Sequence, residues 1–164
     1  MTRLDQRDLD ILRILWREGR ITKAALAARI NLSPTPCWER LKRLERAGII
    51  EGYGARISLR TLGPHVMVFV AVELDNHRTE TFAGFETAIR GHREVTGCWA
   101  LGGGFDYLMQ VVTPSIDSYQ RLIDGMLAAR IGLARYYTYI VTKPVKSSGL
   151  PPLDLLLSDE NQTN

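Results

Sequence analysis

The sequence predicts an α+β protein with an N-terminal winged helix-turn-helix domain and a C-terminal ferredoxin-like βαββαβ domain. Three helical patterns fill roughly the first 50 residues, and a tight turn joins the last two. From His65 onward, apolar β-branched runs and amphipathic helical patterns follow in the order βαββαβ. We expect four regions along the chain: a helix-turn-helix domain over 1–52, a strand and linker over 53–64, a second domain over 65–146, and a tail over 147–164.

The most informative segment is the third helical pattern, over residues 33–47. Ser33 and Pro34 suit its N-cap and first turn, and Gly48 suits its C-terminal cap. Apolar residues at helical spacing define its buried back: Cys37, Leu41 and Leu44. Its front is mostly basic, which is the form of a helix-turn-helix recognition helix. An ordinary surface helix with a solvated charged face is the alternative.

Charge is unevenly distributed along the chain. Residues 1–60 hold 13 Lys and Arg against 7 Asp and Glu, a balance of +6, whereas residues 61–164 hold 8 against 11, a balance of −3. The basic first third favours a module that binds a polyanion. Because the sequence lacks both an apolar run of about 18 residues and an apolar signal region, we expect a cytoplasmic protein with no membrane partner.

Motifs for catalysis or metal binding are missing from the sequence. His65, His77 and His92 stand apart and match no metalloprotease, serine hydrolase or nucleotide-binding pattern. Cys37 and Cys98 lack the spacing of metal ligands, and we interpret them as core residues of a protein in a reducing compartment. We therefore expect neither an enzyme nor a metal or other cofactor.

The segments between and after the helices carry their own signals. Asp5 and Thr22 suit the N-caps of the first and second helices. Residues 52–59 are predicted to form a short strand, either a minimal wing or the start of a linker, from which Tyr53 and Arg56 can reach a phosphate. The last residues of the tail are polar, and we expect them to be disordered.

The predicted sheet has one face without an obvious cover. Its first strand, over residues 66–74, is apolar at nearly every position, which is typical of a strand buried on both faces. In a βαββαβ fold, however, both helices cover the same face. A second copy of the sheet is the economical cover for the other face, so we expect a two-fold homodimer. Such a dimer also presents two recognition helices to two DNA half-sites.

These motifs resemble the Lrp/AsnC, or feast/famine, family of transcriptional regulators. The resemblance covers residues 3–146 and rests on L-D-Q-R-D-L-D-I-L, N-L-S-P-T-P-C-W-E-R-L-K-R-L-E-R-A-G-I-I-E-G-Y, G-G-G-F-D-Y-L and T-Y-I-V. It implies a winged-helix DNA-binding domain, a ligand-sensing (RAM) domain, dimers that often assemble into octamers, and amino-acid effectors bound between RAM domains. I-T-K-A, P-C-W-E-R and R-Y-Y-T-Y-I-V-T-K also resemble regulators associated with ectoine and diaminobutyrate breakdown.

The front of the third helix supplies most of the candidate contacts with double-stranded DNA. Arg43 suits bidentate contact with guanine, and Lys42 and Arg46 suit phosphates. Glu39 suits either a cytosine amino group or an ion pair with Arg43 or Lys42. Arg40 lies nearer the apolar back, and we interpret it as structural. The complete candidate set is Ser33, Thr35, Pro36, Trp38, Glu39, Lys42, Arg43, Arg46 and Arg56.

The glycine-rich turn of the second domain is the candidate effector site. An α-amino acid presents an ammonium group that Asp106 can pair with and a carboxylate that free backbone N–H groups can hold. Gly104 stands where the family resemblance leads us to expect an acidic residue. The alternative is that the glycines only permit a tight hairpin turn. The complete candidate set is Leu101, Gly102, Gly103, Gly104, Asp106, Tyr107, Tyr137, Thr138 and Tyr139.

Two functions from different classes remain open at this point. The first is a sequence-specific transcriptional regulator that responds to an amino acid or a related metabolite. The alternative is a standalone amino-acid sensor or regulatory subunit that does not bind DNA. The basic first third favours the regulator, and a steep negative dependence of duplex binding on salt distinguishes the two.

Overall fold

The computed structural model describes residues 3–146 and 149–158. The chain divides into two compact units: the residues up to Ile57 together with the segment from Lys146, and the residues Ser58–Val145. Within the described residues, the first unit is helical and the second contains a four-stranded sheet. The predicted α+β class and the winged helix-turn-helix and βαββαβ architecture are confirmed.

The first unit contains the three predicted helices, α1 (Gln6–Arg17), α2 (Lys23–Arg29) and α3 (Pro34–Arg46). Asp5 and Asp8 form a capping box at the start of α1, and the Thr22 side chain accepts a hydrogen bond from the Ala25 N–H at 3.2 Å. The three helices share one apolar core, formed by Ile11, Leu26, Ala27, Ile30, Cys37, Leu41 and Leu44.

The two ends of α3 are stabilised differently. At the C-terminus, Gly48 has a φ of +70°, its N–H donates to the Glu45 carbonyl at 3.0 Å, and the Ile49 N–H donates to the Leu44 carbonyl at 3.0 Å. This pair of bonds is a Schellman motif, as the position of the glycine predicts. At the N-terminus, Ser33 is the N-cap residue but its side chain makes no capping hydrogen bond, so Pro34 in the first turn is the remaining local signal.

The short strand predicted over residues 52–59 is wrong. Residues 52–58 have no regular secondary structure, and Leu59 begins a four-residue helix, α4 (Leu59–Leu62). Every residue from 52 to 58 is exposed, including Tyr53 at 54% and Ile57 at 69%, so neither side of the segment packs on a core. Because a strand needs a pairing partner and a packed face, the local β-propensity has nothing within the described residues to stabilise it.

The described part of the tail contains one more helix, numbered α7 (Leu153–Ser158). Asp154 of this helix accepts a hydrogen bond from Arg13 of α1 at 3.2 Å, within the first unit. The predicted disorder of the last residues concerns 159–164, which lie outside the described residues.

The second unit has the predicted strand and helix order. It runs β1 (Val66–Leu74), α5 (Thr79–Arg90), β2 (Val95–Ala100), β3 (Tyr107–Thr113), α6 (Ile116–Ala128) and β4 (Leu133–Ile140). The strands lie in the order β2-β3-β1-β4, and every neighbouring pair is antiparallel. Side chains from one sheet face and from both helices form the core, which includes Val68, Val70, Val72, Phe85, Met109, Val111, Ile123 and Met126.

The other face of the sheet carries apolar and aromatic side chains that this chain only partly covers. In one cross-strand row, Ala71 of β1 pairs with Leu108 and Tyr137, and Leu108 pairs with Trp99. In a neighbouring row, Phe69 pairs with Tyr139. The exposed fractions are 48% for Trp99, 42% for Tyr137 and 54% for Tyr139. We call this surface the bare sheet face: Met67, Phe69, Ala71, Trp99, Leu108, Val112, Tyr137 and Tyr139.

Candidate nucleic-acid interface and effector loop

A buried carboxylate of α1 holds two arginines of α3. The Asp8 side chain is 0% exposed, and its two oxygens accept from Arg40 Nη1 at 3.0 Å and Arg43 Nη2 at 2.6 Å. Arg40 Nη1 also lies 2.6 Å from Asp5 Oδ2. Partial burial tends to raise the pKa of Asp5, but hydrogen bonds from Arg40 and from the Asp8 N–H outweigh it and lower that pKa. Arg40 is thus engaged with α1, in line with its structural interpretation.

The three main candidates for DNA contact lie on the exposed side of α3. Lys42, Arg43 and Arg46 are all exposed, and Arg43 keeps 46% of its side-chain surface despite its bond to Asp8. Glu39, Arg43, Arg46 and Ala47 line an open depression of about 600 Å³. Glu39 pairs with neither Arg43 nor Lys42 among the ion pairs of the described residues. The guanidinium of Arg43 therefore has a fixed end on Asp8 and an open end toward solvent.

Trp38 brings together two lysines from different helices. The Lys23 ammonium of α2 lies 3.3 Å from the centroid of the Trp38 ring, and the Lys42 ammonium lies 4.9 Å from it. Both distances are within the range of cation–π attraction. The sequence identified Trp38 and Lys42 but not Lys23, because Lys23 lies 15 positions before Trp38 and no local pattern signals this contact.

The remaining DNA candidates differ in their setting. Ser33 and Thr35 are exposed at the start of α3, Pro36 is half-buried, and Arg56 is exposed on the segment that lacks secondary structure. Beside Arg56, the Tyr53 hydroxyl donates to Glu45 Oε1 of α3 at 2.9 Å. Burial, together with the bond to Glu45, raises the pKa of Tyr53 to about 12, so this phenol remains a hydrogen-bond donor at neutral pH.

The glycine turn between β2 and β3 is exposed, and Asp106 anchors its far end. Leu101 and the three glycines after it are all exposed. The Leu101 N–H donates to the Asp106 carbonyl at 2.8 Å, and the Asp106 N–H donates to the Val72 carbonyl at 2.9 Å. In the Asp106 carboxylate, Oδ2 accepts from the Leu74 N–H at 2.7 Å and Oδ1 lies 3.0 Å from His77 Nε2. The sequence did not connect His77 with this turn, because 29 residues separate it from Asp106.

The four other candidates for effector binding do not share one surface. Tyr107 is 4% exposed in the core, its ring 4.7 Å from that of Phe85. Its hydroxyl donates to Glu86 at 2.9 Å, and burial together with that bond raises its pKa to about 12. Thr138 bonds to Tyr119 of α6 on the helical side of the sheet. Tyr137 and Tyr139 point to the bare sheet face, since side chains alternate along β4, and Thr138 points to the opposite face.

Both cysteines are free thiols, and burial raises the pKa of each. Across the described ranges, there is no group of three or more His, Cys, Asp or Glu side chains placed to hold a metal ion. None of the helices in the part of the chain that the structure describes has the length and apolar content to cross a membrane.

Two known domain families match the two halves of the chain. Residues 4–51 match the winged helix-turn-helix DNA-binding family, and residues 67–151 match the Lrp/AsnC ligand binding domain. The two matches coincide with the helical segment that carries the cationic surface and with the sheet that carries the glycine turn.

Curated proteins and solved structures are similar over most of the chain. Transcriptional regulatory protein DoeX of Halomonas elongata is 55% identical over 144 residues, which are 88% of this chain and 91% of that protein. The leucine-responsive regulatory protein of Escherichia coli is 38% identical over 145 residues, 88% of each chain. A Neisseria meningitidis transcriptional regulator, solved as a complex with L-Met, is 32% identical, with a TM-score of 0.87 over 94% of this chain and 100% of that one.

Proposed function

Because the chain belongs to the Lrp/AsnC family of DNA-binding transcriptional regulators, we propose how its residues divide the work of binding an operator and sensing an effector. The single observation that supports the DNA-binding part is the cationic surface of α3. It is exposed, and the buried carboxylate of Asp8 holds it in place. A transcriptional regulator must reach the genome, so we also propose that the protein is cytoplasmic. We propose in addition that it has no enzymatic activity.

We assign base reading to Arg43 and phosphate binding to the cations around it. Asp8 holds one nitrogen of the Arg43 guanidinium, and the other N–H groups face solvent, where they suit the two acceptors of guanine. Lys42, Arg46 and Arg56 bind phosphates. Thr35 and Pro36 contact a thymine methyl or a phosphate, Glu39 accepts from a cytosine, and Ser33 and Trp38 complete the interface.

The effector in this proposal is an amino acid or a closely related amine. The exposed turn from Leu101 to Gly104 offers backbone N–H groups for a carboxylate. Asp106 accepts from Leu74 and His77, and a carboxylate with about four acceptor sites retains capacity for an ammonium group. The L-Met complex of the Neisseria meningitidis relative supports an amino-acid ligand. The 55% identity to DoeX is consistent with the diaminobutyrate subgroup.

We further propose that the bare sheet face is the homodimer interface. It gathers Trp99, Tyr137 and Tyr139 beside the apolar residues of β1, and aromatic residues are enriched in the cores of protein interfaces. A mostly apolar surface of this kind, in which Gln110 beside Phe69 is a polar member, is characteristic of a binding face, and a symmetric second copy presents the same surface. Four such dimers would form the octamer that the family resemblance implies.

One experiment tests the regulator against the sensor without DNA. A duplex is first selected from a randomised library with the wild-type protein, and its affinity is then measured by fluorescence anisotropy from 50 to 200 mM salt. The measurement is repeated with and without a panel of amino acids that includes diaminobutyrate. We expect a steep negative dependence of duplex affinity on salt, because phosphate contacts release counterions. We also expect at least one amino acid of the panel to change the affinity for the duplex. A protein whose melting temperature rises with an amino acid but which selects no duplex would be the sensor instead.

A further inference from the structure

The cations of the first unit differ in whether a carboxylate neutralises them. Arg40 and Arg43 bind Asp8, Arg29 binds Glu18, and Arg13 binds Asp10. Lys23 and Lys42 form no ion pair among the described residues, and both ammonium groups contact the indole ring of Trp38. The lysine charges on this surface are therefore not neutralised by the protein itself.

The geometry around Trp38 concentrates positive charge at one point. Two ammonium groups, from α2 and α3, lie within 3.3 and 4.9 Å of the same ring centroid. The two ammonium groups are therefore no more than about 8.2 Å apart. Like charges this close repel each other, and the negative face of the ring offsets part of that repulsion. An anion held by both ammonium groups removes the rest of it, so this arrangement favours anion binding.

The chemistry of the cluster fits a phosphate rather than a base edge. A lysine ammonium is a compact point charge without the planar fork that reads guanine, and it serves mainly as a phosphate contact. Lys23 begins the first helix of the helix-turn-helix pair, and in this motif that helix crosses the DNA backbone while the second helix enters the major groove. The cluster thus lies where a phosphate beside the groove is expected.

Trp38 also limits the freedom of the two lysine side chains before DNA arrives. A free lysine loses rotamer entropy when it is immobilised at an interface, and holding it in the bound conformation beforehand reduces that loss. Trp38 is half-buried between its helix and the neighbouring core, so its ring is a fixed platform rather than a flexible side chain.

We propose that Lys23, Lys42 and Trp38 form a preorganised site for one backbone phosphate of the bound DNA strand. We call it the lysine–tryptophan clamp. The proposal rests on the DNA-binding function given above and adds Lys23, a residue outside the recognition helix, to the contacts that bind DNA.

The test uses the full-length protein and the duplex selected by the wild-type protein. Affinity is measured against salt for Lys23→Gln, Lys23→Arg and Trp38→Leu, with Lys143→Gln as the matched control. Lys143 is an exposed lysine of the second unit, so its removal lowers the net charge equally without touching the clamp. Circular dichroism confirms that each variant keeps its helices.

We expect Lys23→Gln to reduce the magnitude of the logarithmic salt slope by about 0.9 for each protomer on the duplex. For one bound protomer, that loss makes the wild-type advantage about three- to fourfold larger at 50 mM than at 200 mM salt. Lys23→Arg retains the slope because it retains the charge. Trp38→Leu keeps both charges, so it lowers affinity with little change of slope, and its effect is smaller in a Lys23→Gln background.

Two results would overturn the clamp, and they are distinguishable. If the wild-type protein binds its duplex and Lys23→Gln matches Lys143→Gln in affinity and slope, the clamp is absent but the DNA-binding function stands. If the wild-type protein selects no duplex at all, the DNA-binding function fails and the clamp fails with it.

Discussion

The two units of this protein have partner-facing surfaces of opposite chemistry. In the first unit, the exposed face of the third helix is cationic, and the contacts that fix it are ion pairs with Asp8 and Asp5. In the second unit, the bare sheet face is apolar and aromatic, with Trp99 and Tyr139 about half exposed. Within the protomer, the first surface has cations without a neutralising carboxylate and the second has exposed apolar area, and each property indicates the kind of partner. Uncompensated cations suit a polyanion, whereas exposed apolar area suits another apolar surface.

The two surfaces also differ in how their residues are held. The guanidinium of Arg43 is held in position by the buried carboxylate of one residue, Asp8 of α1. The residues of the bare sheet face are fixed by the strand ladder itself, because each strand is hydrogen-bonded to its neighbours in the sheet. Loss of the Asp8 carboxylate therefore perturbs the fold that holds the first surface, whereas a substitution on the bare sheet face perturbs mainly association.

The largest effect is expected from a charge placed on the bare sheet face. Tyr139→Arg leaves the monomer intact, since Tyr139 is 54% exposed, but it places two unpaired charges in a symmetric interface. We expect association to weaken by about 4 kcal/mol, roughly a thousandfold in the dimer dissociation constant. Analytical ultracentrifugation measures the change. Leu127→Arg, at an exposed position of α6 on the helical side, is the control that keeps the dimer. Equal dimer dissociation constants for the two variants would mean that the bare sheet face is not the dimer interface.

A smaller effect is expected where ion pairs hold the recognition helix. Asp8→Ala removes the carboxylate partner of Arg43, one of the two carboxylate partners of Arg40, and one half of the α1 capping box. We expect the free energy of unfolding to fall by about 2–3 kcal/mol, below the usual range for breaking a buried pair because both arginines can turn toward water. Urea unfolding followed by tryptophan fluorescence measures it, with Trp16 and Trp38 in the first unit.

The control for Asp8→Ala is Asp10→Ala in the same helix. Asp10 is partly exposed and pairs with Arg13 at 3.3 Å, so its loss should cost less than about 1 kcal/mol. A similar loss of stability in both variants would mean that burial of the Asp8 carboxylate does not distinguish it from a surface pair.

The smallest effect on stability is expected at the C-terminal end of α3, where only the backbone conformation of one residue is changed. Gly48 has a φ of +70° and nothing lies within 4 Å of where a Cβ would be, so Gly48→Ala tests the left-handed conformation without a clash. We expect a loss of about 1 kcal/mol, since the left-handed region disfavours a Cβ. Thermal or urea unfolding measures it. Gly52→Ala, in open space and outside that region, is the control with no comparable loss. An unchanged stability in Gly48→Ala would mean that α3 tolerates another ending.

The sequence predicted the elements whose signals are local. Apolar spacing located α1, α3, α5 and α6. Single residues located some of the helix ends: Asp5 the start of α1, Thr22 the start of α2, and Gly48 the end of α3. The predicted strand over 52–59 is wrong for the opposite reason, because β-propensity is realised only against a partner strand and a packed face. The candidate sites divide in the same way. The front of α3 was predictable from helical periodicity, but the contacts of Asp8, Lys23 and His77 were not.

The sequence by itself determined which faces of the helices and strands are apolar, where the chain turns, and that positive charge is concentrated in its first third. These properties follow from periodicity and composition, which need no knowledge of distant residues. Only the tertiary structure decided that Asp8 holds Arg43, that Lys23 reaches Trp38, that His77 meets Asp106, and that Thr138, not Tyr139, lies on the sheet face that the helices cover. The first three contacts join residues on different elements, and the fourth depends on which side of the sheet the helices cover. Chain topology sets both.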